Sequence, residues 1–576
     1  MKNISKKEKI VLILLLLIVS FVFLVYGGFE LFKIYNNPIA ENKNIEVNYI
    51  KNYSKKDFIK FSLRDFEIYN KYKLRKYIDN NFNKFLYSRG DLSQAILDYA
   101  NLYENSFEIL MTLHNKNLIT YSDYREIYKY LDKFDFNSIQ KKLKTITLKS
   151  ANNNLIAEKV FFEGIIAELN FSDILAIKSY TVAINLNRLN PRYYESLGNT
   201  YNKISGFSDA IIAFENGLNV CNYNAKKDRD IELRLILNLG KTNLAFNRIN
   251  RGVAYLNNLS IISRNYDNLN YEWLAVYNLS TVEATLGHYK EAINYAKYSL
   301  KLANKNRNDN QVLNSINLLS KIDYNYGDYL NGVKNSLKAV KIAKKMNNLS
   351  VLSNASLSVC LNYEYLDKVN EAINYCKRAV EINDKLGLVI KRPEQYLQNG
   401  YIYSFVGSIR NYNIAIDNYN MAYSLAKEYK LDLLKARALS GISNCEIILD
   451  KKDKALADLQ EAIKIKENFG IYNEPCDDCN LGFINWQKKE YSEALANYKN
   501  SIIFADEIAN DSSIFTSASH ISSIYLQIGD YKAGLQYSEL ALKIAKNIYR
   551  YDHHYIRYQQ SIQNNIEKSL LDINNK

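Results

Sequence analysis

Few residues in this chain are of a type and spacing that could do chemistry. Its six cysteines are Cys221, Cys360, Cys376, Cys445, Cys476 and Cys479. The last two form a C-x-x-C behind Pro475, with Asp477 and Asp478 between them. That pattern admits a disulfide, half of a metal site or a redox pair. A zinc site needs two further ligands, and no second C-x-x-C or nearby His supplies them. A reactive thiolate needs a lowered pKa, whereas two adjacent carboxylates raise it. The reading is a structural disulfide or inert thiols, with Cys445 as an alternative partner for Cys479. Cys360 and Cys376 form a second candidate pair, on two helices expected to touch. At least one disulfide is expected among Cys360, Cys376, Cys445, Cys476 and Cys479. His553 and His554, adjacent in an expected helix, point apart and make poor joint metal ligands. The chain has no nucleotide-binding glycine loop, H-E-x-x-H or nucleophile elbow in credible context. The expectation is no catalytic residue, no metal, no cofactor and no enzymatic activity.

The elements that would hold these residues are helical hairpins. Tyr194, Leu197, Gly198, Tyr201, Ala210 and Phe214 stand at the spacing W-x2-L-G-x2-Y…A-x3-F. Here small residues let two helices approach while large ones fill the gap. Gly164, Ala176, Tyr180 and Ala183 precede Gly198, Ala210, Phe214 and Gly217 by 34 residues each. The small residue opening each second helix then recurs at Gly252, Ala292, Gly332, Ala372, Ala415, Ala455, Ala494 and Gly534, mostly in steps of 39 to 43. Glycine turns recur at Gly287, Gly327 and Gly529. On these residues the chain resembles the tetratricopeptide repeat superfamily, and its longer repeats resemble those of bacterial peptide-responsive regulators and scaffold proteins. The resemblance implies an all-α fold, a right-handed superhelical solenoid of antiparallel helix pairs. The array is expected over residues 151–548, after a leading helical domain at 58–150 and before a solvated cap helix at 549–576.

In such arrays the first helices of successive hairpins line a concave groove. Helical spacing puts Arg192, Glu195, Asn199 and Asn202 on one face, followed by Arg234, Asn238 and Lys241, then Asn317, Lys321 and Tyr324. The face is polar and mildly basic, suited to a protein or peptide partner of acidic character. Chaperone-adaptor repeat proteins clamp a C-terminal carboxylate with Lys and Arg plus two Asn. Asn199 and Asn238 match the asparagines, but Glu195, Leu274 and Asn278 stand where the clamp needs cations, so that reading fails.

Residues 10–29 are apolar and uncharged, at about 1.5 Å per residue enough for a bilayer core of roughly 30 Å. They follow a lysine-rich stretch at 1–9. They are expected to be an uncleaved single-pass anchor in the cytoplasmic membrane with the N-terminus inside. Residues 30–57 would be a spacer, and the array would be periplasmic or extracellular. Over 576 residues the formal charge is +14, spread rather than clustered, which argues against nucleic acid. The 49 tyrosines read as compositional bias. A basic cluster at Lys71, Lys73, Arg75 and Lys76 reads as a solvated helix face. The functional expectation is a membrane-tethered interaction scaffold. A peptide-sensing receptor using the groove is the alternative, and a thiol redox protein using Cys476 and Cys479 comes third. Oligomeric state is not set by the sequence.

Overall fold

The computed structural model describes residues 71–81, 92–146, 152–223, 228–390, 393–472, 474–551 and 553–574. The chain divides into two units, Met1–Asp57 and Phe58–Lys576. The first unit, with the expected anchor at 10–29 and the spacer, lies outside the described residues. No described helix is long and apolar enough to cross a membrane.

Every described regular element is a helix. Four described helices lead, Lys71–Asn80, Leu92–Asn115, Tyr121–Asp132 and Phe136–Thr145. They pack around Tyr103 and Phe136, and Tyr99 donates to the Leu169 carbonyl at 3.0 Å, joining them to the first hairpin. Lys73 of the basic cluster is taken up by Asp132 at 2.6 Å. Ten helix pairs follow among the described residues, from Asn153–Leu169 with Asp173–Leu186 to Asp511–Ile528 with Tyr531–Ile548. A final helix, His554–Asn574, comes after them.

Local chemistry sets the ends of these helices. Asn152, Asn190, Asp228, Asn268, Asn308, Asn348 and Asn510 each precede a first helix and accept a backbone N–H from its first turn. Gly287, Gly327 and Gly529 close first helices with φ of +93°, +95° and +84°, the left-handed region that a Cβ disfavours. Within a pair, the small residue opening the second helix is the point of closest approach. Ala176, Ala210, Ala292, Ala372, Ala415, Ala455 and Ala494 are all fully buried. Each pair buries one side in itself and the other against its neighbour.

The stack also meets itself. The apolar core of the fourth and fifth hairpins (Ala292, Leu319, Ile322) is continuous with that of the tenth (Phe515, Ala541, Ile544). Arg550 donates its backbone N–H to the Tyr326 carbonyl at 3.0 Å, and Asn250 Nδ2 donates to the Glu507 carbonyl at 3.3 Å. Around Tyr549, Arg550 and His553, ahead of the last helix, the chain forms a joint, while the last helix itself packs on the tenth hairpin. Tyr549, His553 and Ile556 are buried in the seam between the tenth hairpin and the middle of the array, and Gln559 and Ile566 are buried against the tenth hairpin itself.

Filling a close-contact point should cost stability. Ala292→Trp is expected to destabilise by about 1–3 kcal/mol through overpacking, read as a lowered urea midpoint. An unchanged midpoint would refute this packing register.

Candidate functional site

The polar residues of the first helices divide into two sets. One set ties each hairpin to the next. Arg234 donates from Nε and Nη2 to Glu195 at 2.6 and 3.0 Å, and also pairs with Asp230. Asn238 Nδ2 donates to Asn199 at 3.0 Å, and Asn202 Nδ2 to Thr242 at 2.7 Å. The rung recurs as Trp273 to Ser315 at 3.0 Å, Gln398 to Asn354 at 2.6 Å and Trp486 to Gln527 at 2.9 Å. These partners stand 39 to 44 residues apart, the repeat period itself. Arg234, Asn199 and Asn238 thus face one another across the hairpin boundary, and the Arg234 charge is met by a carboxylate only 8% exposed. The second set stays open: Arg192, Lys241 and Lys321 are exposed, and so is Arg437, which the sequence did not single out. Asn317 is half-buried.

Tyr324 leads to a feature without a sequence signal. It lines a cavity of about 440 Å³ where the fifth and sixth hairpins meet the tenth hairpin and the last helix. Tyr329 and Tyr365 stack at 4.9 Å, Tyr365 on His554 at 5.0 Å, His554 on His553 at 4.3 Å, and His553 on Tyr549 at 4.2 Å. The two histidines therefore do not point apart. His553 precedes the last helix rather than lying in it, so its ring turns onto that of His554. Burial first, then the neighbouring His554 and Arg557 charges, push His553 down to about 3. His554 falls for the first and last of these reasons. Burial also lowers His520, boxed by Phe483, Trp486 and Tyr498, to about 4. Among the described residues no group of three His, Cys, Asp or Glu could hold a metal ion.

Cys360 and Cys376 are joined as a disulfide, with Cα atoms 5.3 Å apart, between the two helices of the sixth hairpin. Cys445, Cys476 and Cys479 are free thiols. Cys479 does not face an open groove; it packs with Phe483 and Trp486 against the core around Tyr498 and Ile521. Burial pushes its thiol up to about 12 and that of Cys445 up to about 11, away from nucleophilic thiolate.

A model of the tetratricopeptide repeat family matches residues 517–548, within the tenth hairpin. Among curated proteins no sequence relative is found. Several solved structures are similar. A Rap protein complexed with competence and sporulation factor aligns over 61% of this chain and 98% of that one, at 13% identity and a TM-score of 0.39. The apo form of RapI aligns over 48% and 99%, at 12% and 0.40. A tetratricopeptide repeat protein from Parabacteroides merdae aligns over 49% and 98%, at 13% and 0.36. The described residues form an all-helical stack of hairpins, the tenth of which matches the tetratricopeptide repeat model.

Two variants separate glue from open surface. Arg234→Ala leaves the buried Glu195 carboxylate unpaired and is expected to cost about 1–3 kcal/mol, whereas Arg192→Ala should change the unfolding midpoint within error. Equal effects would dissolve the distinction. A second test uses pH. Burial pushes the Asp323 carboxyl up to about 6, against the 2.8 Å hydrogen bond from Asn335. An acid whose folded pKa is raised stabilises fully below its unfolded value near 4 and loses that contribution as pH rises through 6. Asp323→Asn should therefore raise the melting temperature at pH 7.5 and leave it unchanged at pH 4. A shift of the same size at both values would place the effect elsewhere.

Proposed function

We propose that this chain is a membrane-tethered interaction scaffold that holds an acidic protein or peptide partner on the exposed face of its first helices. The observation that supports it is the set of cations left open beside the ladder. Arg192, Lys241, Lys321 and Arg437 are exposed on the second, third, fifth and eighth first helices, whose other flanks are spent on packing. Exposed cations held on packed helices steer and orient an extended anionic segment without requiring a deep site. Binding rather than catalysis is the reading, since burial holds the Cys445 and Cys479 thiols protonated and no group of three His, Cys, Asp or Glu among the described residues could hold a metal ion. The apolar stretch at 10–29 would anchor the array on the outer face of the cytoplasmic membrane, serving envelope assembly, secretion or quality control. A peptide-sensing receptor is the second reading, favoured by the enclosed aromatic cavity at the joint.

The test is capture from native membranes by cross-linking, comparing the wild type with Arg192→Glu, Lys241→Glu, Lys321→Glu and Arg437→Glu combined. The expected outcome is loss of the main partner with helicity intact, and weakening of the wild-type complex by salt, since screening acts over about 8 Å at physiological ionic strength. An unaltered partner profile would move binding to another surface. Carbonate and high-salt washing should leave the chain in the membrane; its release would remove the tether and leave the scaffold reading standing.

A further inference from the structure

The cavity at the joint has the features of a recognition pocket rather than a packing fault. Its lining includes no Lys, Arg, Asp or Glu, only Tyr, Phe and His rings with Asn, Ser and Thr. Its volume of about 440 Å³ lies in the range of ligand pockets, roughly 300–1,000 Å³. Three rings keep much of their surface open: Tyr365 and Tyr555 are each 41% exposed and Tyr558 is 54% exposed. A joint made only for cohesion would bury them, as it buries Phe515 and Tyr549.

The polar character of the pocket is that of a donor. Tyr324 and Tyr555 lie close enough to the phenols of Tyr365 and Tyr401 that ionisation of any one would be resisted by the others. Burial is the larger cause, and both phenols stay protonated. The Tyr324 hydroxyl is already hydrogen-bonded with Tyr365, which leaves the protonated Tyr555 O–H to donate. Lys321 stands one helical turn before Tyr324, and Arg557 stands between Tyr555 and Tyr558. The Arg557 charge reaches the pocket, where it helps keep His553 and His554 neutral. Aromatic faces alone would draw a cation. No carboxylate stands in the lining to receive a cation, and the Arg557 charge disfavours one.

We propose that this cavity is the anchor pocket for the partner, taking one aromatic side chain with a carboxylate beside it, as in an aromatic residue of an acidic peptide. The inference rests on the scaffold reading above and names the chemistry its partner carries. The aromatic ring enters among Tyr324, Phe515, Tyr555 and Tyr558, and the carboxylate accepts from the Tyr555 hydroxyl and faces Lys321. The pocket is composite. Tyr324 and Tyr365 come from the fifth and sixth hairpins, whereas Phe515, Tyr555 and Tyr558 come from the tenth hairpin and the last helix. An occupant therefore binds only the docked arrangement and favours it by mass action.

The experiment titrates the full chain in detergent with N-acetyl-L-tryptophan, N-acetyl-L-tryptophanamide, acetate and tetramethylammonium, read by calorimetry and ligand-observed NMR. Saturable binding of N-acetyl-L-tryptophan is expected, about tenfold tighter than its amide because charge-assisted hydrogen bonds are lost with the carboxylate. Acetate and tetramethylammonium should not bind. Tyr558→Ala, at a largely exposed position, should weaken N-acetyl-L-tryptophan about tenfold through lost ring contact. Lys321→Gln should bring the acid down to the level of the amide. No binding by any probe, equal binding of acid and amide, preferential binding of tetramethylammonium, or no effect of Tyr558→Ala would each overturn the proposal. Failure here with the charge-reversal result intact removes the pocket and leaves the scaffold. Probe binding with an unaltered capture profile removes the basic face and leaves the pocket.

Discussion

A helical hairpin of this kind has two apolar sides and can bury only one within itself, so the second must find another hairpin. The rest of the structure depends on that requirement. It explains why the buried alanines occupy the opening turn of the second helix, where Ala176, Ala210 and Ala292 allow backbones to approach. It also explains the length of the period. A rung such as Arg234 to Glu195 can form only if the next first helix returns to the same height, and the 39 to 44 residues between partners are the chain needed to go down one helix and back.

Stacking in one direction also brings distant hairpins together, and the joint shows what such a meeting demands. Apolar residues of the fourth, fifth and tenth hairpins fuse into one cluster, while the segment from Tyr549 to Tyr555 covers the seam with rings. Aromatic side chains suit this place because they bury large surface at low entropic cost and keep a polar tip for water or a partner. The two histidines must stay neutral to stack there, and burial with nearby positive charge keeps them so. Asp323, on the fifth first helix, feels burial in the opposite sense and holds its proton more tightly. The same desolvation thus favours the neutral form of both residue types, and below neutrality the two act in opposite senses: a falling pH restores the Asp323 contribution and removes that of His553.

The hairpins were legible in the sequence because their signals are local: a small residue, a glycine turn and an aromatic filler recur at fixed spacing. The ladder was not. Glu195 and Arg234 read as two members of an open polar face, and only the pairing distance shows that each uses up the other. In a chain rich in Asn and Lys, residue type does not distinguish a rung from a free surface position, and the asparagines prove to be helix caps as often as rungs. The joint was beyond reach for another reason. Arg550 and Asp328, or Tyr329 and His554, are more than 220 residues apart and carry no periodic mark. Tyr324 was singled out for its place on a first helix, and the tyrosine excess was read as bias. Bias supplied the rings, but the fold gathers several of them at one seam.

Geometry, rather than composition, then sorts structural from functional side chains along the first helices. Arg192 stands three residues before Glu195, and Lys241 three residues after Asn238, so each shares a face with a rung yet projects beyond it. A rung holds its neighbour at a fixed height, and that fixes where the cation one turn away is presented. The presentation of each such cation is therefore inherited from the packing of its hairpin, although the cations themselves do not recur with the period. A flexible acidic segment tolerates such a spacing, whereas a compact acidic ligand does not meet more than one cation at a time. If the partner is extended, its affinity should grow with the number of hairpins it crosses, each adding a weak contact made in effect intramolecular by the one before. The aromatic pocket at the joint would then set the register of that segment, since it is large enough to enclose a single residue rather than touch it in passing.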